Sequence, residues 1–437
     1  MDYQLLLAKL NINALNTMQQ DMLKTVDKQD NIVLTSPTGS GKTLAFLLPC
    51  LDLLDAIEPH VQLLIIVPSR ELAIQIEQVF KKITTDFKVN SCYGGHSVGI
   101  EENNLSEPPA VLIGTPGRIS HHLRTKHINL EKVQTLILDE FDKSLEAGFE
   151  AEMSFIITQC KGLKKRILTS ATTSVEIPSF VGIGKHVTLN YITENETAKT
   201  SLNLKSVRVT GDDKLEALML LLGKVGSQST IVFCNHREAV NRISEQLEYY
   251  KIGHGFYHGG LDQIDREKTL IRLRNQSIKI LITTDLAARG LDIPEIETVI
   301  HYQLPLTEDV MIHRNGRTAR MHATGTVYFL LDLEDHLPKF LTITPEEEPL
   351  PTKQEMPSAS DWATLYISAG KKDKVNKMDI VGMLIQKGKL QKEEIGRIEV
   401  LDHSAYVAIK SSKASKTLQL VREEKIKNKK VKIDFSN

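Results

Sequence analysis

The chain has 437 residues, 41% hydrophobic and 25% charged, with a net charge of −1. That is the make-up of a soluble globular protein of two or three domains, and no apolar run approaches the ~20 residues that span a bilayer. The opening MDYQLLLAKLNIN has no basic segment and no small-residue cleavage site, and the four cysteines are widely spaced without a Cys-x-x-Cys pair. A cytoplasmic protein with reduced, buried thiols is expected, with neither a zinc site nor a disulfide framework.

In chain order, β-branched runs alternate with amphipathic helical stretches. The first runs are NIVLTS (31–36), LLIIVPS (63–69), AVLIGTP (110–116), TLILDE (135–140) and RILTSA (166–171). The stretch ELAIQIEQVFKKI (71–83) between two of them repeats apolar residues every three or four positions. Continuous apolar strands joined by helices imply a parallel sheet covered on both faces. SPTGSGKT (36–43) follows the first strand and opens a helix. Glycines at 39 and 41 let backbone N–H groups turn toward phosphate oxygens, Lys42 adds a positive charge, and Thr43 is placed to ligate magnesium. The whole run Thr38, Gly39, Ser40, Gly41, Lys42, Thr43 is the expected nucleotide cradle, although Ser36 stands where the strict pattern begins with glycine. Asp139 and Glu140 end the fourth strand at the same sheet edge, the edge at which open parallel sheets bind ligands. They are expected to hold magnesium through water and to position the attacking water.

A second set of runs follows: TIVFCN (230–235), GHGFYH (253–258), KILITTD (279–285), TVIHYQLP (298–305) and GTVYFLL (325–331). It has no phosphate loop. It does carry HRNGRTAR (313–320), in which Arg317 and Arg320 lie three apart and would share one helix face. Such a pair suits the role of arginine fingers on a γ-phosphate. The other reading is a basic helix on a solvated face.

A proline-rich stretch, TPEEEPLPTKQEMPSAS (344–360), then reads as a linker or strap. The last 75 residues resume as strand, helix, two strands, helix and strand, the βαββαβ order used by many RNA-binding modules. From residue 366 onward there are 17 Lys+Arg against 9 Asp+Glu, a net of +8, whereas the residues before carry 37 against 46. A basic tail on an acidic body points to a polyanionic partner or, more simply, to a solvated lysine-rich surface.

With these residues in place the chain resembles the DEAD-box ATP-dependent RNA helicases over roughly residues 10–335. PSRELA (68–73), Gly94-Gly95, TPGR (115–118), DEFD (139–142), SAT (170–172), IVFCN (231–235), Gln263 with Arg266, TTDLAARGLD (283–292) and HRNGRTAR occur in the family's order. The resemblance implies that Gln19 reads the adenine edge and Asp292 the ribose. It implies that Arg70, Gly95, Thr115, Arg118, Arg266 and Thr284 contact the RNA backbone. Asp142, Ser170 and Thr172 would couple hydrolysis to domain closure and strand separation. Phe141 stands where the family has alanine; alternation at a strand end turns it away from the nucleotide.

The tail resembles the RNA-binding domain of the bacterial DbpA subfamily. Lys371, Lys372 and Lys374 match its glycine–lysine run and Tyr406 an aromatic on its third strand, as an RNA contact or as core packing. The fold class expected is α/β, two tandem RecA-like parallel-sheet domains (1–198 and 205–340), a linker (341–362) and an RRM-like domain (363–437). The expected activity is RNA-dependent ATP hydrolysis with Mg2+. Local unwinding of short duplexes near large-subunit ribosomal RNA during ribosome assembly is expected of a monomer. The rival reading is a non-catalytic RNA-binding scaffold.

Overall fold

The computed structural model describes residues 3–10, 12–37, 39–95, 98–172, 176–192, 202–209, 213–288, 293–294, 296–318, 324–353, 355–427 and 429–436. Seven N-terminal strands are β1 (Asn31–Thr35), β2 (Leu63–Ile66), β3 (Val89–Cys92), β4 (Val111–Gly114), β5 (Thr135–Leu138), β6 (Lys165–Ser170) and β7 (Val187–Asn190). They pair in parallel in the order β3-β4-β2-β5-β6-β1-β7. Every residue of the inner strands β2, β4 and β5 is buried, as a sheet covered on both faces requires. The five expected strands are present. The edge strands β3 (VNSC) and β7 (VTLN) were not foreseen, because a half-covered edge needs no continuous apolar run.

The two faces bury different residues. Ile32, Leu34, Ile65, Ile113, Ile137 and Ile167 pack with Phe46, Leu47 and Phe80 from the helices Lys42–Leu51 and Arg70–Ile83. Val33, Leu64, Ile66, Leu112, Leu138 and Leu168 face the other way and meet Phe141, Met153 and Ile156. Ser69 starts the second of those helices by accepting the Leu72 N–H.

The second sheet comprises β8 (Leu202–Arg208), β9 (Thr230–Phe233), β10 (His254–Tyr257), β11 (Ile280–Thr283), β12 (Thr298–His301), β13 (Gly325–Leu331) and the short β14 (Glu346–Glu347). Its order is β10-β11-β9-β12-β13-β8-β14, again parallel. The proline-rich stretch does not hang free. β14 pairs with β8, Leu350 packs against the core, and Lys205 reaches the Glu348 carboxylate at 2.7 Å. A β-carbon on Gly223 would collide with the Glu355 carbonyl, so the strap lies close along this domain.

The third sheet is antiparallel: β15 (Trp362–Ile367), β16 (Ile395–Val400), β17 (Ala405–Lys410) and β20 (Ile433–Phe435), in the order β16-β17-β15-β20. The helices Lys377–Gln386 and Ser411–Val421 cover one face, so the βαββαβ order holds. A hairpin of β18 (Lys425–Ile426) and β19 (Lys429–Lys430) is added before the last strand. The second and third sheets belong to one compact unit. No helix among the described residues is long and apolar enough to cross a membrane.

Candidate active site

The loop after β1 is held from two sides. Gly39 and Gly41 have φ of 80° and 90°, a left-handed backbone that glycine adopts without strain. The Ser36 N–H donates to the Ser170 carbonyl at 3.1 Å, tying the loop to the end of β6. Asn16 and Gln19 form a reciprocal cap at 2.9 and 3.0 Å on the helix Thr17–Val26. The same pair grips the loop: Asn16 Nδ2 donates to Ser40 O at 2.9 Å and Gln19 Nε2 to Gly41 O at 3.3 Å. Lys42, buried, donates to the Ser36 and Pro37 carbonyls at 2.5 and 2.9 Å. Its ammonium is thus kept inside the loop rather than swinging in solvent. Thr43 is half-buried in the first turn of the following helix.

Asp139, Glu140 and Asp142 are all buried. The Thr169 hydroxyl on neighbouring β6 donates to Asp139 Oδ1 and accepts the Glu140 N–H at 3.2 Å. One hydroxyl therefore orients both acids. Glu140 has φ 48° and ψ 48°, a left-handed conformation costly for a non-glycine residue. Burial pushes the Asp139 carboxyl up, while Thr169 and Lys42 pull it down. Burial also raises Asp142, against Lys143 beside it. Phe141 lies in the apolar cluster on the face opposite the Lys42–Leu51 helix, away from the phosphate loop. Ser170 Oγ accepts the Thr172 N–H at 3.0 Å.

Elsewhere on the first sheet, Arg70 Nη1 donates to Gly94 O at 3.4 Å, and a β-carbon on Gly95 (φ 98°) would collide with that guanidinium. Thr115 immediately precedes the helix Pro116–Arg124, its carbonyl accepting the Arg118 and Ile119 N–H groups at 3.1 Å, and that helix carries Arg118. Behind them is a group that sequence reasoning missed. Buried Glu101 accepts the Tyr93 N–H at 2.9 Å, meets His122 Nε2 at 2.6 Å and stands 3.4 Å from Arg118 Nη1. Cys92 lies within metal-ligand range of Glu101 and His122. The Arg118 guanidinium already supplies the countercharge as an ion pair, and the carboxylate's hydrogen bonds go to the Tyr93 N–H and His122. Nothing in the local sequence marks Glu101, since it sits in an unremarkable helix, Val98–Leu105.

In the second domain, Arg266 is buried on the helix Gln263–Arg274 and Thr284 is half-buried after β11. The arginine segment differs from expectation. The helix Glu308–Asn315 stops before Arg317, because the chain tightens into turns: Arg317 N–H donates to Arg314 O at 3.2 Å and Thr318 N–H to Asn315 O at 3.0 Å. Arg317, 2% exposed, is therefore presented from a turn and not from a helix face. Arg314, one turn earlier, is 0% exposed. It donates to Asp285 Oδ1 at 2.5 Å, Asn235 Oδ1 at 2.7 Å and Gln303 O at 2.9 Å, and it lies over the Phe233 ring. It ties the loops after β9, β11 and β12 together. The sequence offered only its place in HRNGRTAR. Thr38, Asp292 and Arg320 lie outside the described residues.

In the third domain Lys371, Lys372 and Lys374 are exposed. Tyr406 is not: it is 5% exposed, its ring 5.5 Å from that of Tyr366. In this arrangement its ring is closed to a base.

A phosphate loop and two acids at one edge of a parallel sheet, followed by a second such sheet, define a P-loop nucleotide hydrolase with paired RecA-like domains. Residues 16–179 match the DEAD/DEAH box helicase model, 213–322 the helicase conserved C-terminal domain, and 364–434 the DbpA RNA binding domain. The chain is similar to the ATP-dependent RNA helicase CshA of Limosilactobacillus reuteri, with 30% identity over 75% of this chain and 67% of that protein. It is also similar to the ATP-dependent RNA helicase DbpA of Bacillus subtilis, with 28% identity over 96% of this chain and 94% of that one. Its fold matches a Saccharomyces cerevisiae Dbp5 structure bound to RNA and ADP BeF3, with a TM-score of 0.68 and 24% identity over 79% of this chain and 92% of that one. The chain belongs to the DEAD-box ATP-dependent RNA helicases and carries a DbpA-type RNA-binding domain. It is an RNA-dependent ATPase and helicase.

Proposed function

We propose that this helicase opens short RNA duplexes locally, beside an element of large-subunit ribosomal RNA held by its third domain, during ribosome assembly. The observation that carries this reading is the DbpA RNA-binding-domain match at 364–434, on a net charge of +8 from residue 366 onward. We read it as a cytoplasmic monomer.

In this reading the 38–43 loop cradles the ATP phosphates and Gln19, already bonded to Gly41, is the adenine contact with Asp292 on the ribose. Thr43 and Asp139 would hold magnesium. Their hydroxyl and carboxylate oxygens suit that hard cation, and a buried Asp139 disfavoured as an anion is the kind of carboxylate a cation relieves. When bound, the ion neutralises phosphate charge. Glu140, its backbone held by Thr169, takes the proton of the water that attacks the γ-phosphorus as ADP leaves. Arg317 and Arg320 are the cations for the transition state. Asp142, Ser170 and Thr172 couple the two events. Arg70, Gly95, Thr115, Arg118, Arg266 and Thr284 take RNA phosphates and 2′-hydroxyls, which position a strand without reading it. Lys371, Lys372 and Lys374 grip the tethering RNA.

The test is RNA-stimulated ATP hydrolysis by the full chain, comparing a large-subunit ribosomal RNA fragment with generic duplex of equal length. The fragment should stimulate at lower concentration, and Lys371→Glu with Lys372→Glu and Lys374→Glu should remove that preference. Equal stimulation by both RNAs rejects the ribosomal target and leaves the helicase standing.

A further inference from the structure

Two adjacent residues at the end of the edge strand β7 hold two parts of the nucleotide site at once. β7 pairs with β1 in parallel, with Asn190 opposite Thr35. Thr35 is the last residue of β1 and leads into the phosphate loop. Its hydroxyl donates to Asn190 Oδ1 at 2.8 Å, and its carbonyl accepts the Tyr191 N–H at 2.8 Å. Asn190 Oδ1 also accepts the Ile192 N–H at 2.9 Å, which fixes the direction of that side chain. The Tyr191 hydroxyl donates to Asp21 Oδ2 at 2.6 Å, 170 residues away in the chain. Asp21 belongs to the helix Thr17–Val26, two residues beyond Gln19.

Two residues turn about 200° around an α-helix, so Gln19 and Asp21 leave it on opposite sides. One side grips the loop at Gly41 O, and the other is anchored on the end of β7. The far end of the helix is fixed separately, since Lys165 Nζ from β6 donates to Val26 O at 2.6 Å and to Gln29 O. A base that bonds to the Gln19 amide competes with Gly41 O and the Asn16 N–H for it. As that grip weakens, the first half of the helix relies on Tyr191 and on the burial of Met18 and Met22. Burial and the Asp21 carboxylate push the Tyr191 hydroxyl up to about 12, so it stays a donor at neutral pH.

We propose that Tyr191 is a positioning residue for nucleotide recognition: through Asp21 it sets the helix that carries Gln19 in the same frame as the strand that feeds the phosphate loop. Base and phosphates are then met at a fixed spacing, with Asn190 and Tyr191 as the common reference. The proposal rests on Gln19 as the adenine contact.

The experiment is RNA-stimulated hydrolysis of ATP and of GTP by the full chain at saturating RNA. Tyr191→Phe keeps the ring that packs against the core and drops only the hydroxyl. Losing one bond to a charged acceptor should raise the KM for ATP about 3–10-fold, leave kcat within about twofold, and lower the ATP-over-GTP ratio of kcat/KM by a similar factor. Asp21→Ala should match it, and the double variant should be no worse than either, because the two residues share one bond. Asp21→Asn keeps an acceptor and should recover most of the ATP KM. A lower melting temperature with the ATP-to-GTP ratio unmoved would be a folding role alone and overturns the proposal. Gln19→Ala separates the two levels. If it loses the preference for ATP while Tyr191→Phe keeps it, the positioning role is wrong and the adenine contact stands. If Gln19→Ala itself keeps the preference, the adenine contact fails and takes the proposal with it.

Discussion

His122 Nε2 and Glu101 Oε2 stand 2.6 Å apart with both side chains buried. The same carboxylate takes the Tyr93 N–H, next to the glycine pair, and Arg118 of TPGR. One buried acid thus holds two segments proposed to touch RNA in register with each other. Glu101→Gln keeps the size and the Tyr93 bond but drops the charge facing Arg118. Loss of a charge-assisted bond, about 1–2 kcal/mol, should raise the RNA concentration for half-maximal ATPase roughly 5–30-fold. The rate at saturating RNA should change much less. An unmoved RNA half-saturation would show that the pair only packs the domain.

Thr169 orients Asp139 through its hydroxyl and Glu140 through its backbone. Thr169→Val preserves shape and leaves both groups without that partner. An unmade buried hydrogen bond costs about 1–3 kcal/mol, so kcat for ATP should fall roughly 5–150-fold. The magnesium concentration for half-maximal activity should rise, and Thr169→Ser should recover most of the rate. Steady-state hydrolysis across a magnesium titration checks this.

Glu140→Gln removes the proposed base while leaving its volume. The expected loss in RNA-stimulated hydrolysis is about 10²–10⁴-fold, the usual contribution of a general base. Binding of a fluorescent ATP analogue should persist. Retained hydrolysis would move the base elsewhere.

Phe141 belongs to the cluster of Leu138, Met153, Ile156 and Leu168. Phe141→Ala restores the family's residue but opens a cavity here, at a cost of about 3–5 kcal/mol. The melting temperature should drop while kcat, measured well below it, stays near wild type. A large fall in kcat with an unchanged melting temperature would put the ring in the catalytic geometry after all.

His301 is fully buried between Phe329 and Arg314, and burial with Arg314 pushes its imidazole down to about 3. The folded state keeps it neutral, whereas the unfolded chain protonates it below about 6.5. Its contribution to stability is therefore complete above pH ~6.5 and is lost as pH falls toward 3, by up to ~1.4 kcal/mol per pH unit. His254 is lowered by burial as well and adds a slope of the same sign. Urea unfolding between pH 7 and 4 should show a shallower pH slope in His301→Asn than in wild type.

Much of the site could be read directly. The phosphate loop, the two acids and their shared sheet edge follow from local order, since each lies within a few residues of a strand end. Inner strands such as LLII announce themselves because both faces are buried. β3, β7 and β8 did not, as edge or mixed positions carry polar residues. Arg317 was expected on a helix, and Gly316 with the turn beyond Asn315 decided otherwise. Glu101, Thr169 and Arg314 were illegible for one reason: each acts on partners distant in sequence, 29 or 30 residues away for Thr169 and up to 79 for Arg314.

By itself the sequence determined the class of chemistry and the order of parts: a phosphate loop, two acids at the same sheet edge, a second sheet domain without a loop, and a basic βαββαβ tail. These are local patterns, set by side-chain period and by residues needed side by side. Only tertiary structure decided how the groups are held and what is left open. Arg274 and Glu399 are 125 residues apart, yet together they help close the sheet face that carries Tyr406. No local pattern encodes such a pair, because an arginine on one helix and a glutamate on one strand are ordinary surface residues until packing takes water away from both.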